Sequence, residues 1–197
     1  CHSGGVQGMT VGIAFSNGLE AILLCDEVLS LESGDGTTED TVAKLGIFCH
    51  GNYHGAMVGA GDGNMVIGGI SAFSTRQGHC RTATAARNLD EFVKAAIGYV
   101  AKKLDAADNE WLAERMNNAR KKAATIPDKP ESNKLFEAER AEIFREYDEV
   151  KYHQMHDPPV HFLIAAYDGV DKATKVLSIR GVSAEEIHLP HYEIGNG

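Results

Sequence analysis

The sequence predicts an α+β fold in which antiparallel sheets pack face to face and helices lie outside them. The chain opens with two apolar runs joined by a turn, GMTVGIAFSNG and LEAILLCDE, which is the pattern of a β-hairpin. Helical periodicity dominates the middle of the sequence, and strand-like runs return after Pro159 as VHFLIAAYDG and ATKVLSIRG. The resulting order of four strands, a block of helices and two strands differs from the alternation of βαβ units.

The first four strands are predicted from alternation and from turn residues. Ser16-Asn17-Gly18 supplies the turn of the opening hairpin. The return strand, Leu19 to Cys25, is apolar at every position from Ala21 onward, which predicts a strand buried on both faces. The polar segment LESGDGTTEDT predicts a loop. Two short strands follow, at residues 44–48 and 56–59, with CHGNYH as the turn between them.

The central helices are predicted from their capping residues. Asp62 is placed to cap a first helix, and Asn88 with Glu91 three residues later resembles a capping box. A separate helix is expected over residues 108–122, interrupted by the prolines that follow it. Ser132 is expected to begin a last, highly charged amphipathic helix. These segments predict a continuous helical region between the two groups of strands.

Composition and charge exclude several classes of function. The 197 residues are 43% hydrophobic and 24% charged, as in a globular domain. A net charge of −9 disfavours a nucleic-acid partner and an anionic membrane, both of which favour a basic surface. No apolar stretch reaches the length of a membrane span, and the first residues lack the pattern of a signal peptide. Four widely spaced cysteines favour reduced thiols, and hence a cytoplasmic protein.

The nine histidines raise the alternative of a metal site. Pairs occur at His50 and His54, and again at 153/156 and 188/191, but their spacing and neighbours do not match the usual zinc sites. The glycine-rich GAGDG lacks both the GK[ST] ending of a phosphate loop and the dinucleotide-binding spacing. The sequence therefore predicts neither a metal nor a cofactor.

Several segments match, in their order along the chain, the pattern of one known family. They are TVGIAFSNG with the strand into Cys25-Asp26, TVAKLGIF, AMVGAGDG, FLIAAYDG with KVLSI, and YEIGNG. Together they resemble the proteasome-like branch of the N-terminal-nucleophile (Ntn) hydrolases. The resemblance implies a four-layer αββα sandwich of antiparallel sheets, formed by one domain over residues 1–197 with a helical insertion at about residues 106–158. It also implies a homo-oligomer, assembled as a ring or stack.

The resemblance implies catalytic roles for four residues. Cys1 would attack an amide carbonyl with its thiol, and its own α-amine would serve as the base. That amine is partly neutral near neutral pH, since its unperturbed pKa is about 7.7–8.0. Asp26 and Lys44 would form the electrostatic pair beside the nucleophile. The backbone N–H of Gly59 would stabilise the oxyanion, an interaction worth about 3–4 kcal/mol.

The register of the hairpin departs from the family at the nucleophile. Val11-Gly12 and the following turn align the family's nucleophile position with Gly8, which has no side chain. Thr10 lies two residues on, on the same face of the strand, and would need a register shift and removal of the preceding residues. Cys1 is a competent nucleophile type, but it lies seven positions before Gly8. The sequence leaves open whether Cys1, Thr10 or neither acts as the nucleophile.

Two functional hypotheses follow. The first is an Ntn-type amidohydrolase or peptidase, with peptide or amide substrates and the four residues named above. The second is a non-catalytic, proteasome-like ring or scaffold subunit, in which Gly8 marks a lost nucleophile.

Overall fold

A computed structural model describes residues 12–17, 19–25, 45–74 and 86–195. The chain divides into two compact units, one of residues 1–101 with 159–197 and one of residues 102–158. The elements are β1 (Gly12–Ser16), β2 (Ala21–Cys25), β3 (Leu45–His50), β4 (Tyr53–Gly61), α1 (Gly63–Phe73), α2 (Leu89–Ala124), α3 (Lys129–His156), β5 (Val160–Asp168), β6 (Ala173–Arg180), β7 (Ser183–Glu186) and β8 (His191–Ile194). Among these helices, none combines the length and the apolar character that crossing a membrane requires.

The strands form two antiparallel sheets. One sheet has three strands in the order β2-β1-β8, and the other has five in the order β3-β4-β5-β6-β7. Every pairing between neighbouring strands is antiparallel. The predicted α+β fold with antiparallel sheets is therefore confirmed.

The two sheets pack face to face around an apolar core. Ala14 of β1 and Ile194 of β8 are 2% and 3% exposed, and they meet buried side chains of the five-stranded sheet. These partners are Val58, Ala60, Leu163, Ala165 and Val176. Small residues alternate with branched ones in this layer, so the backbones of the two sheets can approach closely.

Helices cover the other face of the five-stranded sheet. Phe92 of α2 is fully buried, and its ring stacks on Phe48 of β3 with the ring centroids 4.4 Å apart. The ring centroids of Phe73 and Tyr53 lie 5.5 and 5.6 Å from that of Phe92. Aromatic rings at such separations contribute packing energy beyond the area that they bury. This aromatic cluster fixes α1 and the first part of α2 on the sheet.

The predicted helix starts of this unit are confirmed by their caps. Asp62 Oδ1 accepts a hydrogen bond from Met65 N at 2.9 Å. Asn88 Oδ1 accepts from Glu91 N at 2.9 Å, and the Glu91 carboxylate accepts from the backbone N–H of Arg87. These bonds satisfy amide groups that have no partner within the helix.

The prediction that β2 is buried on both faces is wrong. Ile22 and Leu24 are 59% and 51% exposed, and Phe15 beside them on β1 is 44% exposed. These side chains lie on the face of the three-stranded sheet that is turned away from the other sheet. A short run of apolar residues does not reveal whether a second layer covers both faces, because its composition is the same in either case.

The strand count and some strand bounds also differ from the prediction. The expected CHGNYH turn is shorter, with β3 and β4 joined at Gly51 and Asn52, and Gly51 adopts a φ of +53°. The sequence prediction had no counterpart of β7 or β8. Both are short and largely polar, and they exist because each pairs with the edge of a sheet already formed.

The helical unit consists of two antiparallel helical segments, residues 102–124 of α2 and the whole of α3. The predicted separate helix at 108–122 is wrong, since α2 runs without a break from Leu89 to Ala124. The predicted start of α3 at Ser132 is also wrong. Asp128 precedes the helix, Pro130 lies in its first turn, and the Ser132 hydroxyl instead donates to the carbonyl of Ala123 at 2.7 Å. Proline is tolerated in a first turn because its missing N–H would be unpaired there anyway.

Candidate active site

Three of the four predicted catalytic residues lie outside the described residues. They are Cys1, Asp26 and Lys44, and the alternative positions Gly8 and Thr10 lie outside as well. Gly59 is described, within β4. The described residues closest to them in the sequence are the strand ends Gly12, Cys25 and Leu45, and the positions of these three residues indicate where the candidate site lies.

Those strand ends meet at one end of the sandwich, beside the first residue of β1. Gly12 pairs with Cys25, the last residue of β2, and Asp26 follows directly. Leu45, which follows Lys44, pairs with Val58. Val58 in turn lies against Gly12, where an added Cβ would be 2.9 Å from Val58 Cγ2. The described strand ends that adjoin the predicted acid and lysine in the sequence thus converge on the start of β1.

Glycine at position 12 lets the two sheets close at this point. An added Cβ would lie 2.9 Å from Cγ1 of Ile194 as well as from Val58, and side chains do not normally approach so closely. Ile194 ends β8, and Gly195 after it has a φ of +102°. The chain therefore leaves β8, within the YEIGNG segment, next to the start of β1.

Gly59 lies one residue beyond the last pair between β3 and β4, and it pairs with Phe162 of β5. An added Cβ would be 2.8 Å from Val66 Cγ1 of α1 and 2.9 Å from the Phe162 ring. Close packing of α1 on the sheet is thus a sufficient reason for glycine at this position. An oxyanion role for its N–H remains a prediction.

A serine–histidine pair inside the sandwich was missed at the sequence level. His161 Nε2 lies 2.7 Å from Ser178 Oγ, and the His161 ring centroid is 6.2 Å from that of Tyr192. Burial and then the positive charge of Arg180 lower the pKa of His161 to about 4, so the ring is neutral at neutral pH. The two residues are 17 positions apart on neighbouring strands, and no local pattern signals the pair.

The burial of Ser178 decides what this pair can do. A serine hydroxyl beside a neutral histidine has the chemical form of a nucleophile with its base. Ser178, however, is only 1% exposed, so a substrate has no path to its oxygen. The bond instead satisfies two polar groups between the sheets, which would otherwise destabilise the core.

A separate surface cavity of about 490 Å³ lies at the other end of the opening hairpin. Its lining includes Leu19, Glu20, His54 and Tyr167, and the rings of the last two are 5.2 Å apart. The Thr174 hydroxyl donates to the carbonyl of Leu19 at 2.8 Å and ties the hairpin turn to β6. The lining reaches Ala21 and Ile22 at the start of β2, whereas Cys25 and the start of β1 lie at the other end of the hairpin, so the cavity is distinct from the candidate active site.

The histidine pairs do not assemble a metal-binding group in the described part of the chain. There, no three or more histidine, cysteine, aspartate or glutamate side chains come close enough together to hold an ion.

Comparison with known proteins identifies a shared fold. No protein-family profile matches the sequence, and no curated protein sequence matches it. Among solved structures, the chain is similar to a (Gly-1) mutant of Anbu from Hyphomicrobium sp. strain MC1, with 12% sequence identity and a TM-score of 0.52. The match covers 95% of this chain and 61% of that chain. A second Anbu structure from the same strain has 12% identity and a TM-score of 0.48, covering 94% of this chain and 60% of the other.

The likeness shows the fold. The protein shares the α+β fold of the Anbu structure. This finding agrees with the α+β fold with antiparallel sheets that the sequence predicts. This chain spans about 61% of the length of the Anbu chain.

Proposed function

We propose that this protein is an Ntn-type amidohydrolase that cleaves peptide or amide bonds with Cys1 as its nucleophile. The convergence of strand ends supports the proposal. The strand that leads into Asp26 ends at Cys25, which pairs with Gly12 at the start of β1, and the strand that follows Lys44 begins at Leu45, whose partner Val58 lies against Gly12. An acid, an amine and the segment that precedes β1 can therefore share one crevice. The fold that the chain shares with Anbu agrees with this arrangement.

In the proposed mechanism, the α-amine of Cys1 takes the thiol proton, and the sulfur attacks the carbonyl carbon of the substrate. Lys44, oriented by Asp26, supplies positive potential that stabilises the thiolate as it forms. The Gly59 N–H donates to the oxyanion of the tetrahedral intermediate. The intermediate collapses to a thioester as the leaving amine takes the proton. Water then hydrolyses the thioester and restores the thiol.

The finer architecture belongs to the same proposal. We infer one proteasome-like domain over residues 1–197 in which about residues 106–158 are an insertion, built as a four-layer αββα sandwich. The apolar outer face of the three-stranded sheet, with Ile22 and Leu24 exposed, supports the fourth layer because helices there would cover it. Assembly into a homo-oligomeric ring or stack is the corresponding proposal for the quaternary structure.

One observation favours a second candidate, a non-catalytic ring or scaffold subunit. β1 begins at Gly12, and the register of the hairpin assigns the nucleophile position to Gly8, which has no reactive group. Cys1 lies eleven residues before Gly12, and a segment of that length spans up to about 36–40 Å when extended. Chain length therefore permits Cys1 to fold back to the crevice without requiring it.

Thiol labelling separates the two candidates. The protein is incubated with a substoichiometric thiol-directed electrophile, and the site of labelling is found by intact mass and peptide mapping. The amidohydrolase requires labelling at Cys1 to be at least about tenfold faster than at Cys49, an exposed thiol on β3 that serves as the internal control. Labelling must disappear in Cys1→Ala and slow in Lys44→Ala. If Cys1 reacts no faster than Cys49, the catalytic proposal fails and the scaffold remains.

A further inference from the structure

The helical unit is a hairpin held together along its length by contacts between its two helices. Lys122 pairs with Glu139 near the turn, and Arg115 pairs with Glu146 at 3.4 Å further along. At the other end the buried carboxylate of Asp108 accepts from Lys151 and, at 2.9 Å, from Gln154. The hairpin therefore presents a defined surface, and its charges occupy fixed places along it.

The charges on this hairpin are separated by sign along its length. The tip, defined as residues 120–134, has five basic and two acidic residues. The shaft, defined as residues 105–114 with 137–149, has ten acidic and two basic residues. Each hairpin thus has a positive end on a strongly negative body.

Many of these charges form no ion pair in the described part of the chain. Within the described part of the chain, four tip cations are exposed and form no ion pair: Arg120, Lys121, Lys129 and Lys134. The same holds for five shaft acids: Asp105, Glu110, Glu114, Asp148 and Glu149. At 1.5 Å per residue, Lys121 lies about 16 Å along α2 from Glu110. At that separation the two groups are too far apart to pair within one chain, because a Debye length in physiological salt is about 8 Å.

An exposed apolar stripe lies beside the acidic part of the shaft on α3. It consists of Phe144, Tyr152 and Met155, which are 44%, 60% and 78% exposed. The spacing of eight and three residues places them on one face of α3. Ile143, by contrast, is buried. Phe144 lies within the shaft and would supply an apolar contact to a tip docked there, whereas Tyr152 and Met155 continue the stripe beyond the shaft.

A second copy of this chain complements the surface. When two such hairpins lie antiparallel, each tip meets the shaft of the other, and the contact forms twice about a two-fold axis. A nucleic acid or an anionic membrane would also meet the basic tip, but it would be repelled by the longer acidic shaft and by the net charge of −9. In a self-associated pair, the basic tip and the acidic shaft of each copy both face residues of opposite charge.

We propose that the helical hairpin, residues 102–158, is a self-association surface on which the basic tip of one copy docks on the acidic shaft of a second, antiparallel copy, with Phe144 inside the contact. The inference names a surface for the homo-oligomer put forward above. It does not depend on amide hydrolysis, because both candidate functions allow assembly.

Sedimentation-velocity measurements on the 197-residue chain test the wild-type protein first. The dissociation constant is expected to rise at least about tenfold between about 50 mM and about 500 mM NaCl, because salt screens the tip–shaft contacts. A chain that stays monomeric at low salt at protein concentrations up to about 100 µM, or whose association does not respond to salt, overturns the proposal.

Charge reversal identifies the surface. The tip-reversed variant carries Lys121→Glu, Lys129→Glu and Lys134→Glu, which leave two basic and five acidic residues in the tip. The shaft-reversed variant replaces the five shaft acids named above by lysine (Asp105→Lys, Glu110→Lys, Glu114→Lys, Asp148→Lys and Glu149→Lys), which leaves five acidic and seven basic residues in the shaft. Each variant alone is expected to be monomeric, since its tip and shaft have the same sign. An equimolar mixture is expected to form heterodimers, since each tip again faces an opposite charge. A monomeric mixture overturns the proposal, provided that circular dichroism shows unchanged helix content in both variants.

Two further arms complete the test. The control variant, Lys94→Glu with Lys172→Glu, reverses exposed charges outside the hairpin and is expected to associate as the wild type does. Equal loss of association in this control overturns the assigned surface. Vesicles with anionic lipid and a duplex DNA are included as probes. Tight binding of either one by the tip, without self-association, also overturns the proposal. Thiol labelling at Cys1 reports on none of these outcomes, so hydrolysis and assembly can fail separately.

Discussion

His161 gives the β-sandwich a specific dependence on pH. Its ring is held neutral between the sheets, with the pKa lowered from 6.5 to about 4 by burial and by Arg180. In the unfolded chain the ring takes up a proton near pH 6.5. Between these two values the unfolded state binds more protons than the folded state, so the free energy of unfolding falls as the pH falls through this window. The stabilising effect is complete above pH 6.5.

The size of this effect follows from the shift. At 1.36 kcal/mol per pKa unit, a shift to about 4 corresponds to about 3.4 kcal/mol. Solvent still reaches part of the ring, and screening reduces the effect to about 2 kcal/mol at pH 4.5. The hydrogen bond to Ser178, at 2.7 Å, keeps the ring in place at neutral pH.

Urea unfolding at pH 7 and pH 4.5 measures this contribution. The wild type is expected to lose about 2 kcal/mol more between the two pH values than His161→Gln, in which nothing titrates at this position. His191→Gln, which removes an exposed histidine from β8 of the same unit, is the matched control and should keep the wild-type pH dependence. Equal pH dependence in the wild type and His161→Gln would refute the buried neutral ring.

Three further predictions concern packing and burial, and each is checked by urea unfolding at pH 7. Phe92→Ala is expected to cost about 3–5 kcal/mol, because the ring is fully buried and stacks among other aromatic rings; a cost below about 1 kcal/mol would contradict the helix packing. Asp168→Asn is expected to cost about 2–4 kcal/mol, because it removes a buried carboxylate 3.1 Å from the Lys175 ammonium; a neutral result would show that the pair is not formed. Gly59→Ala is expected to lower the free energy of unfolding by about 1–3 kcal/mol, because the added methyl group would press on α1. Gly98→Ala has open space around it and should raise the free energy of unfolding by up to about 1 kcal/mol. Equal effects of the two substitutions would disprove the close packing at β4.

The convergence of the candidate site could be anticipated only in part. The sequence places Asp26 after a strand and Lys44 at the start of one, and the resemblance to the Ntn hydrolases links them. That the two strand ends meet beside Gly12 depends on the pairing between β3 and β4 and on the closeness of the sheets. The bond between His161 and Ser178 could not be anticipated, because residues on neighbouring strands become partners only when the register is known.

By itself, the sequence determined the local features of this protein. Alternation and turn residues specify the opening hairpin, where the Asn17 side chain accepts from the backbone N–H of Glu20, and capping residues specify the starts of α1 and α2. These features arise from interactions between residues close together in the chain, so the information is present in short segments.

The tertiary structure decided which surfaces are covered and which short segments become strands. β8 forms because β1 offers it an edge, and Ile22 remains exposed in the described part because no neighbour packs on it there. The unbroken α2 extends past the point where its apolar pattern fades, supported by its contacts with α3. Each outcome depends on contacts between residues far apart in the sequence. These contacts stabilise the fold by more than the weak intrinsic helix or strand propensities of the segments involved.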